Sequence, residues 1–233
     1  MAKTKIEKEL RLLANPEKAV ILSYFFKTGP GQYGEGDIFL GVMVPQQRIV
    51  AKNNINTSLS DLQIVLDSKI HELRLTALLT LVFQYEKAGA KEKKAIVDFY
   101  LKNTNNINNW DLVDLSAPKI LGDYLLNQDR KLLYKLAQSK KLWERRIAII
   151  STFAFIKQNQ FDDTLKIAEM ILTDSHDLIQ KAVGWMLREV GKRDLATEVK
   201  FLEKHSTRMP RTMLRYAIEK FEETKRKEFL NKK

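Results

Sequence analysis

Trp110 and Asp114 stand four residues apart in Asn108-Asn109-Trp110-Asp111-Leu112-Val113-Asp114. On a helix that spacing puts an indole and a carboxylate on one face. Trp185 and Arg188, three apart, share a face in the same way, and Trp143-Glu144-Arg145-Arg146 falls between the two segments. A carboxylate beside an aromatic face can meet a positive charge. An arginine can grip an anion such as a phosphate. The same residue types also serve plainer ends. A tryptophan packs in a core or at its rim, and a carboxylate one turn away is solvated or pairs with a neighbouring arginine. On the residues alone both uses stay open.

Other chemistries are closed off. The chain has no cysteine, which removes thiolate nucleophiles, Fe–S clusters and Cys-built zinc sites. His71, His176 and His205 lie too far apart for a short metal motif. A transition metal is not expected, which leaves only a carboxylate-built Mg²⁺ site open. No organic cofactor is expected. Gly29, Gly31 and Gly34 spell GxGxxG, but a helical pattern precedes them where a dinucleotide site needs a strand.

The elements that carry these residues read as helices throughout. Gly and Pro together supply 14 of 233 residues, too few for the turns of an all-β fold. Asn15 before Pro16 spells an N-cap followed by Pro at the first helical position. Ser58 before Ser60-Asp61 marks another start. Ile70, Leu73, Ala77, Leu78 and Leu81 follow helical spacing, as do Leu178, Ala182, Trp185 and Met186. About a dozen helices are expected, with a loop at Gly29–Gly36.

A degenerate repeat runs through the chain. Arg74-Leu75-Thr76-Ala77, Arg145-Arg146-Ile147-Ala148 and Lys181-Ala182-Val183-Gly184 share a basic-x-x-small frame. Asp114-Leu115-Ser116-Ala117 fits it with an acid in first place. Spacings of 40, 31 and 36 residues are those of HEAT-like helical repeats. The fold predicted is therefore an all-α, HEAT-like helical repeat solenoid with a concave basic groove. Asp114, Arg145 and Lys181 are expected to project from neighbouring repeats in related directions. One domain is expected over 1–223, with a basic, frayed tail over 224–233.

Charge points to a partner. Lys and Arg number 40 against 29 Asp and Glu, a formal +11. From His176 to Lys233 there are 15 Lys/Arg against 9 Asp/Glu. Such a surplus attracts polyanions, with nucleic acid foremost. An acidic protein or an anionic membrane surface would answer the same charge. The charged start Met1-Ala2-Lys3-Thr4-Lys5 and the short apolar runs predict a cytoplasmic protein without a membrane span, nucleoid-associated when bound to DNA.

The sequence closely resembles the bacterial AlkD-like family of DNA alkylation-repair glycosylases, which are HEAT-like repeat proteins. The matching stretches are Asn15-Pro16-Glu17-Lys18-Ala19, Phe39-Leu40-Gly41-Val42, Asn109 to Asp114, Leu142 to Ile149, and Gln180 to Glu189. The resemblance implies hydrolysis of the N-glycosidic bond of positively charged alkylpurines, such as 3-methyladenine and 7-methylguanine, in duplex DNA. It implies a lesion that stays stacked rather than extruded, and a monomer is expected. Trp110, Asp114, Arg146 and Trp185 occupy the family's site positions. Arg146 is preferred to Arg145 because the family's arginine follows, by three residues, the tryptophan matched by Trp143.

The chemistry such a family performs needs few groups. A cationic purine leaves without protonation, so no general acid is required, unlike the two-carboxylate scheme of sugar hydrolysis. Charge then develops on the deoxyribose. On this resemblance Asp114 would stabilise that cation and hold the attacking water. Trp110 and Trp185 would offer π faces to the sugar, and Arg146 would hold a backbone phosphate. Arg188, Lys181 and Arg145 are further DNA-binding candidates. Arg208, Arg211 and Arg215, around a helix start at Pro210, are others. No lysine nucleophile is evident, so strand cleavage through a Schiff base is not expected. A non-catalytic binder of bent or branched DNA and a protein-binding adaptor are the competing readings. His71 is expected on a repeat surface, and Trp143, Phe25, Phe26 and Phe39 in the core.

Overall fold

The computed structural model describes residues 4–232. Met1–Lys3 and Lys233, the ends of the expected charged start and of the expected tail, lie outside it. The chain divides into two compact units, Met1–Ser116 and Ala117–Lys233. Among the described residues there is no strand, only an isolated bridge between Ile38 and Ile70.

The first unit holds α1 (Lys5–Leu12), α2 (Pro16–Phe25), α3 (Val44–Asn53), α4 (Leu59–Leu66), α5 (His71–Lys87), α6 (Ala90–Lys102) and α7 (Trp110–Asp114). The starts read from sequence are capped as local chemistry dictates. Asn15 accepts from the Lys18 amide at 2.9 Å with Pro16 opening α2, and Ser58 accepts from Asp61 at 3.1 Å. α5 is the core helix: α1, α3, α4, α6 and α7 all pack on it. It therefore buries nearly all of its first three turns, from His71 to Val82. Buried Glu72 accepts the amides of Leu40, Gly41 and Val42 at 2.8–3.3 Å, tying the segment after Phe39 to α5. Gly41 is required there. Its φ is +80°, and a Cβ would strike the Asn15 carbonyl.

The second unit begins with a π-helical turn, Pro118–Gly122. It continues with α8 (Lys131–Ala137), α9 (Leu142–Ser151), α10 (Phe153–Ile156), α11 (Asp162–Met170), α12 (Asp177–Gly191), α13 (Leu195–His205), α14 (Arg211–Ala217) and α15 (Glu223–Asn231). α12 is its core helix, with α9, α11, α13 and α14 against it. The small residue expected at the close helix approach is Gly184. A Cβ there would meet the Met213 carbonyl, the Tyr216 Cβ and the Ala217 nitrogen of α14.

The repeat frame has a structural basis. Arg74 donates to the Ser68 carbonyl six residues back at 2.9 Å, while Ser68 Oγ accepts from Ile70 at 3.0 Å. Arg145 donates to Ser139 O at 3.0 Å, and Ser139 Oγ accepts from Lys141 at 3.1 Å. The third copy is Gln180 to Asp174 O at 2.9 Å, with Asp174 Oδ1 accepting from His176 at 2.9 Å. Gln180, not Lys181, is thus equivalent to Arg74 and Arg145. These side chains lock the turn before each helix instead of projecting outward. The start of α7 is built differently, with Asn109 accepting from its neighbour Trp110 at 2.8 Å.

Four expectations are corrected. The segment expected to fray from 224 is mostly the helix α15. Phe229 is buried edge-on to Phe221 at 5.8 Å, and Arg211 donates to the Leu230 carbonyl at 2.8 Å. His71 is 1% exposed, not a surface residue. Phe25 is 59% exposed, whereas Phe26 and Phe39 are buried as expected. Trp143, in the first turn of α9, is half-buried rather than core.

Candidate active site

In the first unit, Trp110 and Asp114 open and close the single turn of α7, and both are half-buried. The Trp110 indole lies flat on Phe26, with centroids 5.2 Å apart and planes within 12°. Phe25 meets it edge-on at 5.8 Å and 75°. Beneath, Phe26 stacks on Phe39 at 5.2 Å, and both rings lie against the His71 imidazole, at 4.7 and 4.8 Å. The indole thus rests on a layered aromatic support contributed by α2, α5 and the segment between α2 and α3.

A buried chain of charges runs through the same layers. His71 Nε2 is 2.8 Å from Asp111 Oδ2, and its Nδ1 is 3.2 Å from Asp37 Oδ2. Arg74 Nη2 donates to Asp37 Oδ1 at 2.7 Å. Burial opposes charge on His71, but the Asp111 and Asp37 carboxylates outweigh it and push its pKa up to about 9. Burial likewise opposes charge on Asp37, and its bond to His71 with the nearby Arg74 holds it below the usual carboxylate range. On the other side of α7, burial lifts the Tyr100 phenol above its ordinary range. Its hydrogen bond with Ser116 opposes this, and the charge of Asp114 adds to it.

In the second unit, Arg146 is buried on α9 and donates to the Leu178 carbonyl in the first turn of α12. α12 also carries Lys181, Trp185 and Arg188. The Trp185 indole is half-buried, donates to Glu189 at 3.1 Å and lies 6.0 Å from the Phe153 ring. Arg188 is bonded to Glu219, and Lys181 pairs with Asp177 at 2.6 Å. Arg145 is spent on the protein itself, with Asp174 at 2.6 Å and the Ser139 and Lys140 carbonyls. Arg208, Arg211 and Arg215 are exposed around the start of α14.

Sequence reasoning found the indole–carboxylate pair of α7, but it missed Phe26 as the support beneath and the buried Asp37–His71–Asp111 link. Their partners stand 34 to 84 residues apart along the chain, and no local pattern joins them. Among the described residues no group of three His, Asp or Glu could hold a metal ion. No helix among them is long and apolar enough to cross a membrane.

A family model described as DNA alkylation repair enzyme matches residues 6–221. Among solved structures the chain is similar to one described as "Predicted DNA alkylation repair enzyme from Enterococcus faecalis". The TM-score is 0.70 at 18% identity, over 90% of this chain and 97% of that one. At that identity the likeness shows a shared fold. No curated protein is significantly similar in sequence.

Proposed function

The chain belongs to the DNA alkylation repair enzyme family, and on that premise we propose that it is a monofunctional DNA glycosylase for cationic N3- and N7-alkylated purines in duplex DNA. The observation that carries the proposal is the α7 turn. It holds an indole backed by a stacked phenyl ring, with a carboxylate four residues on. A π face and an anion on one short turn suit a cation that develops beside them.

The reaction asks for little else. The bond from the deoxyribose C1′ to the purine nitrogen breaks, and its electron pair neutralises the ring's positive charge. The sugar becomes an oxocarbenium ion, which Asp114 and the Trp110 face stabilise. Water adds to C1′ and passes its proton to Asp114. Trp185 is assigned a second π face toward the sugar. Arg146, fixed by the Leu178 carbonyl, is assigned a flanking phosphate. No general acid is needed because the leaving group carries its own charge, so neutral lesions are not substrates.

The test is release of 7-methylguanine from methylated duplex DNA by the unaltered protein and by Asp114→Asn. The variant should keep its duplex affinity and lose about 10²- to 10³-fold in rate. Unimpaired release by the variant would remove Asp114 from the mechanism, and no release by the unaltered protein would overturn the proposal.

A further inference from the structure

α7 is a single turn of five residues. A helix this short does not hold itself in water, so Trp110 and Asp114 take their places from what grips the turn. Leu112 and Val113 anchor it in the core, Asn109 caps it, and two further grips hold Trp110 and Asp111. Asp111 accepts its neighbour Leu112 through Oδ1 at 2.9 Å and faces His71 through Oδ2 at 2.8 Å. Trp110 is clamped by ring stacking on Phe26, which itself lies on His71. Both grips end at one imidazole.

His71 is equipped for that task and for little else. It is buried, and its two nitrogens each face a carboxylate, Asp37 and Asp111, also buried. Only the doubly protonated ring donates to both. Arg74 supplies the second positive charge, so two cations and two anions balance. Glu72, next in sequence, turns instead to the amides of Leu40 to Val42. Removing the imidazolium would leave Asp37 to Arg74 but the Asp111 carboxylate uncompensated, and would cost far more than the pair's net worth.

We propose that His71 is a positioning residue for the α7 turn, fixing the Trp110 indole and the Asp114 carboxylate through Asp111 on one side and Phe26 on the other. It touches no substrate. The effect on base release rests on the glycosylase function proposed above, but the effect on Trp110 does not.

The test pairs those two readouts in the full chain. The indole N–H resonance of Trp110, assigned with Trp110→Phe, is followed by NMR through the titration of the His71 imidazole. The two should shift together, with a midpoint near 9. His71→Gln should move the Trp110 resonance at neutral pH. It should lower the single-turnover rate of 7-methylguanine release about 10- to 100-fold while leaving duplex affinity within about twofold. Unfolding of His71→Gln would leave the co-titration in the unaltered protein to decide. A Trp110 resonance indifferent to His71 protonation overturns the proposal. So does a folded His71→Gln that loses thermal stability alone, with rate and resonance unchanged. If the unaltered protein releases no base but the two resonances titrate together, the positioning role stands and only the glycosylase function falls.

Discussion

Phe26 and Trp110 lie face to face, 5.2 Å between centroids and 12° between planes, although 84 residues separate them in the chain. The phenyl ring gives the indole a flat, dry floor. Phe26→Leu keeps an apolar filler of similar bulk but removes that flat face. Loss of the stacking should cost about 1 kcal/mol of stability, and a tilted indole should slow base release about tenfold or more. Thermal unfolding and single-turnover kinetics check the two effects separately. A variant with full activity would show that the floor is dispensable.

Gly184 sits where α12 and α14 touch backbone to backbone, against the Met213 carbonyl and the Ala217 nitrogen. Neither neighbour is the far end of a flexible side chain, so added volume must displace a helix. Gly184→Ala should therefore destabilise by about 1–3 kcal/mol through overpacking, despite the better helix propensity of alanine. Chemical denaturation reads this directly, and a neutral or stabilised variant would contradict the close approach.

Glu198 on α13 is 1% exposed, its Oε1 has no partner, and its carboxyl lies over Gly191. Burial pushes its pKa up to about 8, against the pull of Arg188 and Lys225. The folded protein then keeps a proton that the unfolded chain releases near the ordinary value of 4.5. Stability from this group is complete below 4.5 and is lost as pH rises to about 8, by up to about 1.4 kcal/mol per pH unit. Glu198→Gln should flatten that decline in melting temperatures. His71, raised from 6.5 to about 9, loses its contribution over that higher window, so a slope there should survive in the variant. An unchanged profile in Glu198→Gln would show that the carboxyl is already ionised.

What the sequence could disclose was whatever sits close along the chain. The caps at Asn15 and Ser58, the small residue Gly184 inside an apolar helix, and the Trp110–Asp114 spacing are all local patterns, and the structure keeps each. What it hid depends on distant partners. Nothing beside His71 announces carboxylates at Asp37 and Asp111, so a polar residue at a helix start looked like a surface one. Phe25 and Phe26 are adjacent and chemically identical, yet one is exposed and one buried, because only the helix phase against α5 and α7 separates them. The repeat frame slipped by one residue at Lys181 because the lock it encodes is a hydrogen bond to a carbonyl, which Gln180 makes as well as an arginine does.

Arg208 and Arg215 flank the first turn of α14 and are exposed, whereas Arg145 is bound to Asp174 and two carbonyls. The two groups should therefore separate in DNA binding. Each exposed arginine that neutralises a phosphate releases condensed counterions, and removing it lowers the slope of log K against log salt by about one. Arg208→Ala with Arg215→Ala should reduce that slope by about two and leave the melting temperature nearly unchanged. Arg145→Ala breaks a largely buried ion pair and should cost about 3 kcal/mol of stability, with the salt slope intact. Duplex binding titrated at several salt concentrations, beside thermal melts, distinguishes them. A salt slope that falls with Arg145 and not with Arg208 and Arg215 would place the DNA on a different face of the second unit.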